Sequence, residues 1–145
     1  MENPNQTKTE TEQNQSRSIK IDKCFFGQKA ALKVQYNQEN NSIYIGIGKK
    51  SENDQWTWNN AKIKDTEAAE IIRVITGKTD STSFYHTYND NKTQIWITRK
   101  EEQVFIKIDN LAKSICPSEQ EVMKIILKEI ILQSIYNKDI GTLAK

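Results

Sequence analysis

The stretch AKIKDTEAAEIIRVI at 61–75 lies on AKSICPSEQEVMKII at 112–126 without a gap, at an offset of 51 residues. Ala61, Lys62, Glu70 and Ile75 meet identical residues, and Ile71/Val122 and Arg73/Lys124 are conservative pairs. Each copy reads as the end of a strand running into a helix. In the first, Asp65 or Thr66 caps, Glu67 sits in the first turn, and Gly77 ends the helix. Ala68, Ile71, Ile72 and Ile75 form its apolar stripe. In the second, Ser118 and Glu121 have capping-box spacing, and the helix runs to about residue 137.

The similarity extends upstream. At the same offset SIYIGIGKK (42–50) falls on TQIWITRKE (93–101), and one residue of slippage brings QYNQENN (35–41) onto TYNDNK (87–92). Strands are expected at 21–26, 30–36, 42–49 and 55–62, then at 83–88, 93–100 and 103–109. NQENN, KKSEND, NDNK and KEE supply the turns. Strands gathered before a helix, twice over, define an α+β fold: two repeated antiparallel sheet-plus-helix units with pseudo-twofold symmetry. The expected organisation is a disordered polar tail at 1–19, a folded domain at 20–137 and a C-terminal tail at 138–145. The second helix carries Val122, Met123, Ile125, Ile126, Leu127, Ile130, Ile131, Leu132 and Ile135, leaving a narrow wet stripe through Glu121, Lys124 and Lys128. One sheet cannot cover so apolar a helix, so a homo-oligomer is expected.

Composition narrows the function classes. The 145 residues carry a formal charge of +2, so any polyanion site must be a local patch. Two cysteines, Cys24 and Cys116, are too few for a disulfide framework or a zinc site and read as buried thiols. No apolar run is long enough to span a bilayer. With no leader-like N-terminus, a cytoplasmic, nucleoid-associated or nuclear location is expected. His86 is the single histidine and reads as structural, and GIGKKS at 46–51 lacks phosphate-loop spacing. No catalytic residue, metal or cofactor is expected.

Aromatics and cations are more informative. Trp56, Trp58, Phe84, Tyr85, His86, Tyr88, Trp96 and Phe105 fall on expected strands, with Lys29, Lys33, Lys62, Arg99, Lys100 and Lys107 among or beside them. Stacking surfaces interleaved with cations suit unpaired nucleic acid, although aromatics are also ordinary core residues of sheets. Alternation turns Phe105 and Lys107 away from Val104, Ile106 and Ile108. For Trp96, alternation and the repeat register point to opposite faces.

GQKAAL at 27–32 matches, at Lys29, Ala30, Ala31 and Leu32, the Lys-Gly-Lys-Ala-Ala-Leu motif of the Whirly single-stranded DNA-binding proteins, departing at Gly27 and Gln28. Trp58, then a helix, then Phe84, Tyr85 and His86 are similar to that family's tryptophan strand, helix and Phe-Phe-His strand. The resemblance covers residues 22–137 and extends to the kinetoplastid guide-RNA-binding proteins of the same architecture. It implies a tetramer built through the helices, with single-stranded DNA along sheet edges and a binding role for Lys29. The candidate nucleic-acid residues are Lys29, Lys33, Arg99 and Lys107 for phosphates and Trp56, Trp58, Tyr85 and Phe105 for bases. The expected partner is single-stranded DNA, bound with little sequence preference. The alternatives are single-stranded RNA binding or annealing on the same scaffold, or a structural oligomer that binds no nucleic acid.

Overall fold

Alternating side chains and short polar turns set out two antiparallel sheets. The computed structural model describes residues 20–143, and the tail expected at 1–19 lies outside the described residues. Strands β1 (Lys20–Phe26), β2 (Ala30–Asn37), β3 (Ser42–Lys50) and β4 (Trp56–Ile63) form the first sheet, in that order. Helix α1 (Asp65–Ile75) follows. Strands β5 (Ser81–Tyr88), β6 (Asn91–Lys100), β7 (Gln103–Ile108) and β8 (Leu111–Ile115) repeat the order in a second sheet, and helix α2 (Pro117–Leu143) completes the chain. The fold is α+β, built from the same sheet-plus-helix unit twice.

The hairpins turn on residues that tolerate left-handed backbone. Asn89 and Asp90 have φ of 48° and 64° and join Tyr88 to Asn91, the two-residue loop whose twist suits a hairpin. Glu101 and Asp109, at φ 58° and 53°, start the two following loops.

Pleating sends Leu32, Val34, Tyr36, Ile43, Ile45 and Ile47 inward from the first sheet, and Ile95, Ile97, Val104, Ile106 and Ile108 inward from the second. With Ile71, Val74, Met123, Leu127 and Ile130 from the helices they make one core. Each such side chain contributes about 1.5–3 kcal/mol relative to exposure.

The helices are exchanged between the units. α1 packs against β5 and β6 of the second sheet, and α2 reaches back to β1. Asn137 on α2 donates to the Gln38 carbonyl at 2.6 Å, and Asn41 donates to the Ser134 carbonyl at 3.4 Å.

Three expectations change. β8 was not expected: Ala112, Lys113 and Ser114 leave Leu111 and Ile115 as its only apolar signal. Its presence makes β6 the second strand of its sheet and β3 the third strand of the other, so the expected match of 42–50 with 93–101 is one strand out of place. The caps correct the offset as well. The Lys64 N–H donates to the Glu67 carboxylate at 2.8 Å, and the Cys116 N–H donates to that of Glu119 at 3.0 Å. These paired positions lie 52 residues apart rather than 51. The register at 52 superposes buried Ala68, Ile71 and Ile75 on buried Gln120, Met123 and Leu127. Glu121 instead pairs with Lys124 at 2.9 Å. Finally α2, expected to end near residue 137, runs on to Leu143.

Gly77 does end α1, at φ +78°, with its N–H donating to the Val74 carbonyl and that of Lys78 to Arg73.

Candidate nucleic-acid interface

Since one face of each sheet fills the core, the other carries whatever the strands present outward. On the first sheet, cross-strand rows place Phe26, Ala31, Gly48 and Trp58 side by side, and next to them Cys24, Lys33, Gly46 and Asn60. Glycine at the third position of both rows lowers the floor. The Trp58 ring lies on the Gly48 backbone so closely that an added Cβ would meet three ring atoms at 2.9 Å. Lys33 Nζ stands over that ring, 4.3 Å from its centroid. Trp56 stacks beside Trp58 at 5.8 Å and 26°, and Phe26 meets Trp56 edge-on at 5.9 Å. Phe26 is 66% exposed. The result is a shallow aromatic surface beside ammonium groups on Lys33 and the exposed Lys29, the latter next to Lys50 through the Lys50 N–H to Lys29 carbonyl bond.

Small residues in this surface explain the Ala30-Ala31-Leu32 run. Ala31 faces outward yet is fully buried, because it lies in the row between Phe26 and the Trp58-covered Gly48. Burial pushes the Cys24 thiol pKa up, while the nearby Lys33 charge opposes that shift.

The second sheet presents a counterpart. Trp96 points outward, as Lys107 Nζ over its ring at 5.1 Å shows, which decides between the two faces the sequence left open. Tyr85 and Phe105 are exposed on the same side by strand parity. The predicted residues therefore divide into two groups, with Lys29, Lys33, Trp56 and Trp58 on the first sheet and Tyr85, Phe105 and Lys107 on the second.

Arg99 belongs to neither group, and its expected phosphate role is corrected. Parity with Ile95 and Ile97 turns it inward. Its Nε donates to the Val74 carbonyl at 3.0 Å, and Nη2 donates to the Ile75 carbonyl and to Gln120 Oε1. The guanidinium thus closes the C-terminal end of α1, where partial negative charge collects. Gln120, buried beneath it, also donates to the Glu102 and Ile115 carbonyls. His86 is likewise satisfied, with its Nε2 2.8 Å from the Glu67 carboxylate.

Sequence reasoning missed Phe26, Gly46, Gly48 and Tyr44. Glycines alternating within a strand were the available signal, since they mark a close approach across its face. A wider cleft of about 680 Å³, lined in part by Tyr44, Lys62, Lys64 and His86, adjoins this face where β4 meets the second sheet. No described helix is long and apolar enough to cross a membrane.

The fold and surface define a two-sheet α+β protein with an aromatic, lysine-bearing face on each sheet. No family model matches the chain, and no curated protein does. Among solved structures it is similar to the PH1012 protein from Pyrococcus horikoshii OT3, at 14% identity over 92% of this chain and 85% of that one, with a TM-score of 0.32.

Proposed function

We propose that this protein is a non-enzymatic single-stranded DNA-binding protein that works as a homo-oligomer. The observation that carries the reading is the Trp58 ring laid flat on Gly48 with Lys33 over it and Trp56 and Phe26 beside it. Flat rings beside ammonium groups give unpaired bases a stacking platform and their phosphates a counter-charge, without reading base edges. Sequence preference is accordingly weak. The resemblance of the Lys29-Ala30-Ala31-Leu32 segment to the Whirly motif supports the same reading.

Self-association has its own support. α2 buries Met123, Leu127 and Ile130 on one side and leaves Val122, Ile125, Leu132, Ile135 and Tyr136 exposed on another. Residues 122, 125, 132 and 136 follow helical spacing, so they form one stripe that suits the α2 helices of further copies. A tetramer in the cytoplasm, the nucleoid or the nucleus is the assembly proposed.

The test is titration of fluorescently labelled oligothymidylate against the protein and its Trp58→Ala and Lys33→Ala variants. Loss of a stacked base should weaken binding by about 1–3 kcal/mol for Trp58→Ala. Log affinity should fall linearly with log salt. A preference for duplex, indifference to salt, or unchanged affinity in both variants refutes the proposal. A matched RNA competitor measures the choice of sugar.

A further inference from the structure

Lys29 stands just before β2, at the edge of a groove between the two sheets. A groove of about 230 Å³ runs between the sheets, lined by Lys29, Ala30, Gly48 and Lys49 on one side and Asn110, Leu111 and Ala112 on the other. Two of these residues belong to the outward rows. Gly48 is the neighbour of Trp58 across β3 and β4. Ala112 is the neighbour of Lys107, which in turn neighbours Trp96. The groove therefore runs from Gly48, inside one aromatic row, to Ala112, at the end of the other. With strands about 4.8 Å apart, Trp58 sits about one strand from the groove and Trp96 about two.

The groove is suited to a backbone rather than to a base. Lys29 and Lys49 are both exposed, and among the described residues no acidic side chain lies within ion-pairing distance of either. Its remaining lining is small or neutral. Glu52 and Asp54 line an adjoining pocket with Lys29 and Lys49, and Asp54 pairs with Lys50 at 3.4 Å.

We propose that this groove carries the sugar–phosphate backbone of one DNA strand across the junction, so that a single strand stacks on both sheets of the same chain, with Lys29 and Lys49 holding the crossing phosphates. This rests on the function proposed above. It adds that the two aromatic faces form one continuous site rather than two independent ones.

The experiment is a length series of labelled oligothymidylates, from about 4 to about 16 nucleotides, the usual span of single-strand site sizes. Wild type is compared with Lys29→Ala/Lys49→Ala and with Ala112→Glu. All three substituted positions are exposed, and thermal melts verify that folding is kept. Wild-type affinity is expected to rise with length until both faces are filled, at one strand per chain. Ala112→Glu should bind the shortest strands like wild type but lose the gain at greater length, and the double variant should weaken long strands more than short ones. For the double variant, two lost contacts should lower the salt slope on long strands by about 1.4, at about 0.7 per phosphate. The proposal is overturned if the variants weaken short and long strands alike, if they weaken neither, or if two strands bind per chain at every length. If wild type binds no strand of any length, the proposed function falls together with it.

Discussion

Replacing Arg99 with alanine separates two accounts of that residue. The guanidinium donates to the Val74 and Ile75 carbonyls at the end of α1 and to Gln120 Oε1. Hydrogen bonds from a charged donor contribute about 1.5–3 kcal/mol each. Arg99 is partly exposed, so water can replace it at the two helix carbonyls and the lower end applies to them. Gln120 is only 5% exposed, and its oxygen loses a partner that water reaches poorly. The three bonds together come to about 4.5–6 kcal/mol, and discounting for partial solvent access leaves an expected loss of about 3–4 kcal/mol. For a chain of 145 residues this lowers Tm by about 6–16 °C, at about 2–4 °C per kcal/mol. Urea unfolding followed by far-ultraviolet circular dichroism measures the loss, and oligothymidylate affinity is measured where both proteins are folded. Stability should fall while affinity per folded molecule stays the same. Unchanged stability with weaker, less salt-dependent binding would return Arg99 to the phosphates and refute the capping role.

Gly48→Ala places a methyl group within 2.9 Å of the Trp58 ring; it should shift tryptophan emission and weaken oligonucleotide binding, and an unaltered spectrum would show that the ring does not rest there. Ile125→Glu puts a charge on a side chain that is 64% exposed in the isolated chain. Light scattering should show smaller assemblies with secondary structure intact, whereas unchanged mass would remove this stripe from the interface. Glu119→Ala leaves the Cys116 N–H without its carboxylate partner and should cost about 1 kcal/mol. Glu119→Gln, which keeps an acceptor, should cost less in the same denaturation assay. Since burial raises the Cys24 pKa, its thiolate fraction near neutral pH is below that of a free cysteine, and alkylation of a Cys116→Ser variant should be correspondingly slow.

Much of this architecture was legible because alternation and turn residues agree along the chain. Ile43, Ile45 and Ile47, or Val104, Ile106 and Ile108, announce a buried face without any knowledge of partners. The fourth strand of the second unit was not legible, because five residues with Lys113 at the centre of the inward row carry too little contrast. Missing it displaced the upstream part of the repeat by one strand, although the two helices had been matched to within one residue. At the candidate site, Lys33 and Trp58 were recognisable as residue types, but their contact depends on a register across three strands that no local pattern encodes. Arg99 is different. The sequence Ile95–Ile97–Arg99 already placed it on the inward side, and parity was the better guide than charge.

The exchange of helices has a consequence for how such a chain can be divided. A single unit, severed at the Thr76–Asp80 link, would carry a helix whose counterpart sheet lies on the other fragment: α1 faces β5 and β6, and the end of α2 is bonded to Gln38 and Asn41. Neither half can shelter its own interior, so the two fragments should fold only on meeting. By the same geometry, a chain of one such unit would need a second copy with which to trade helices. Within one chain that encounter is intramolecular, and the two units present different residues outward, Lys33 in one occupying the place that Trp96 takes in the other.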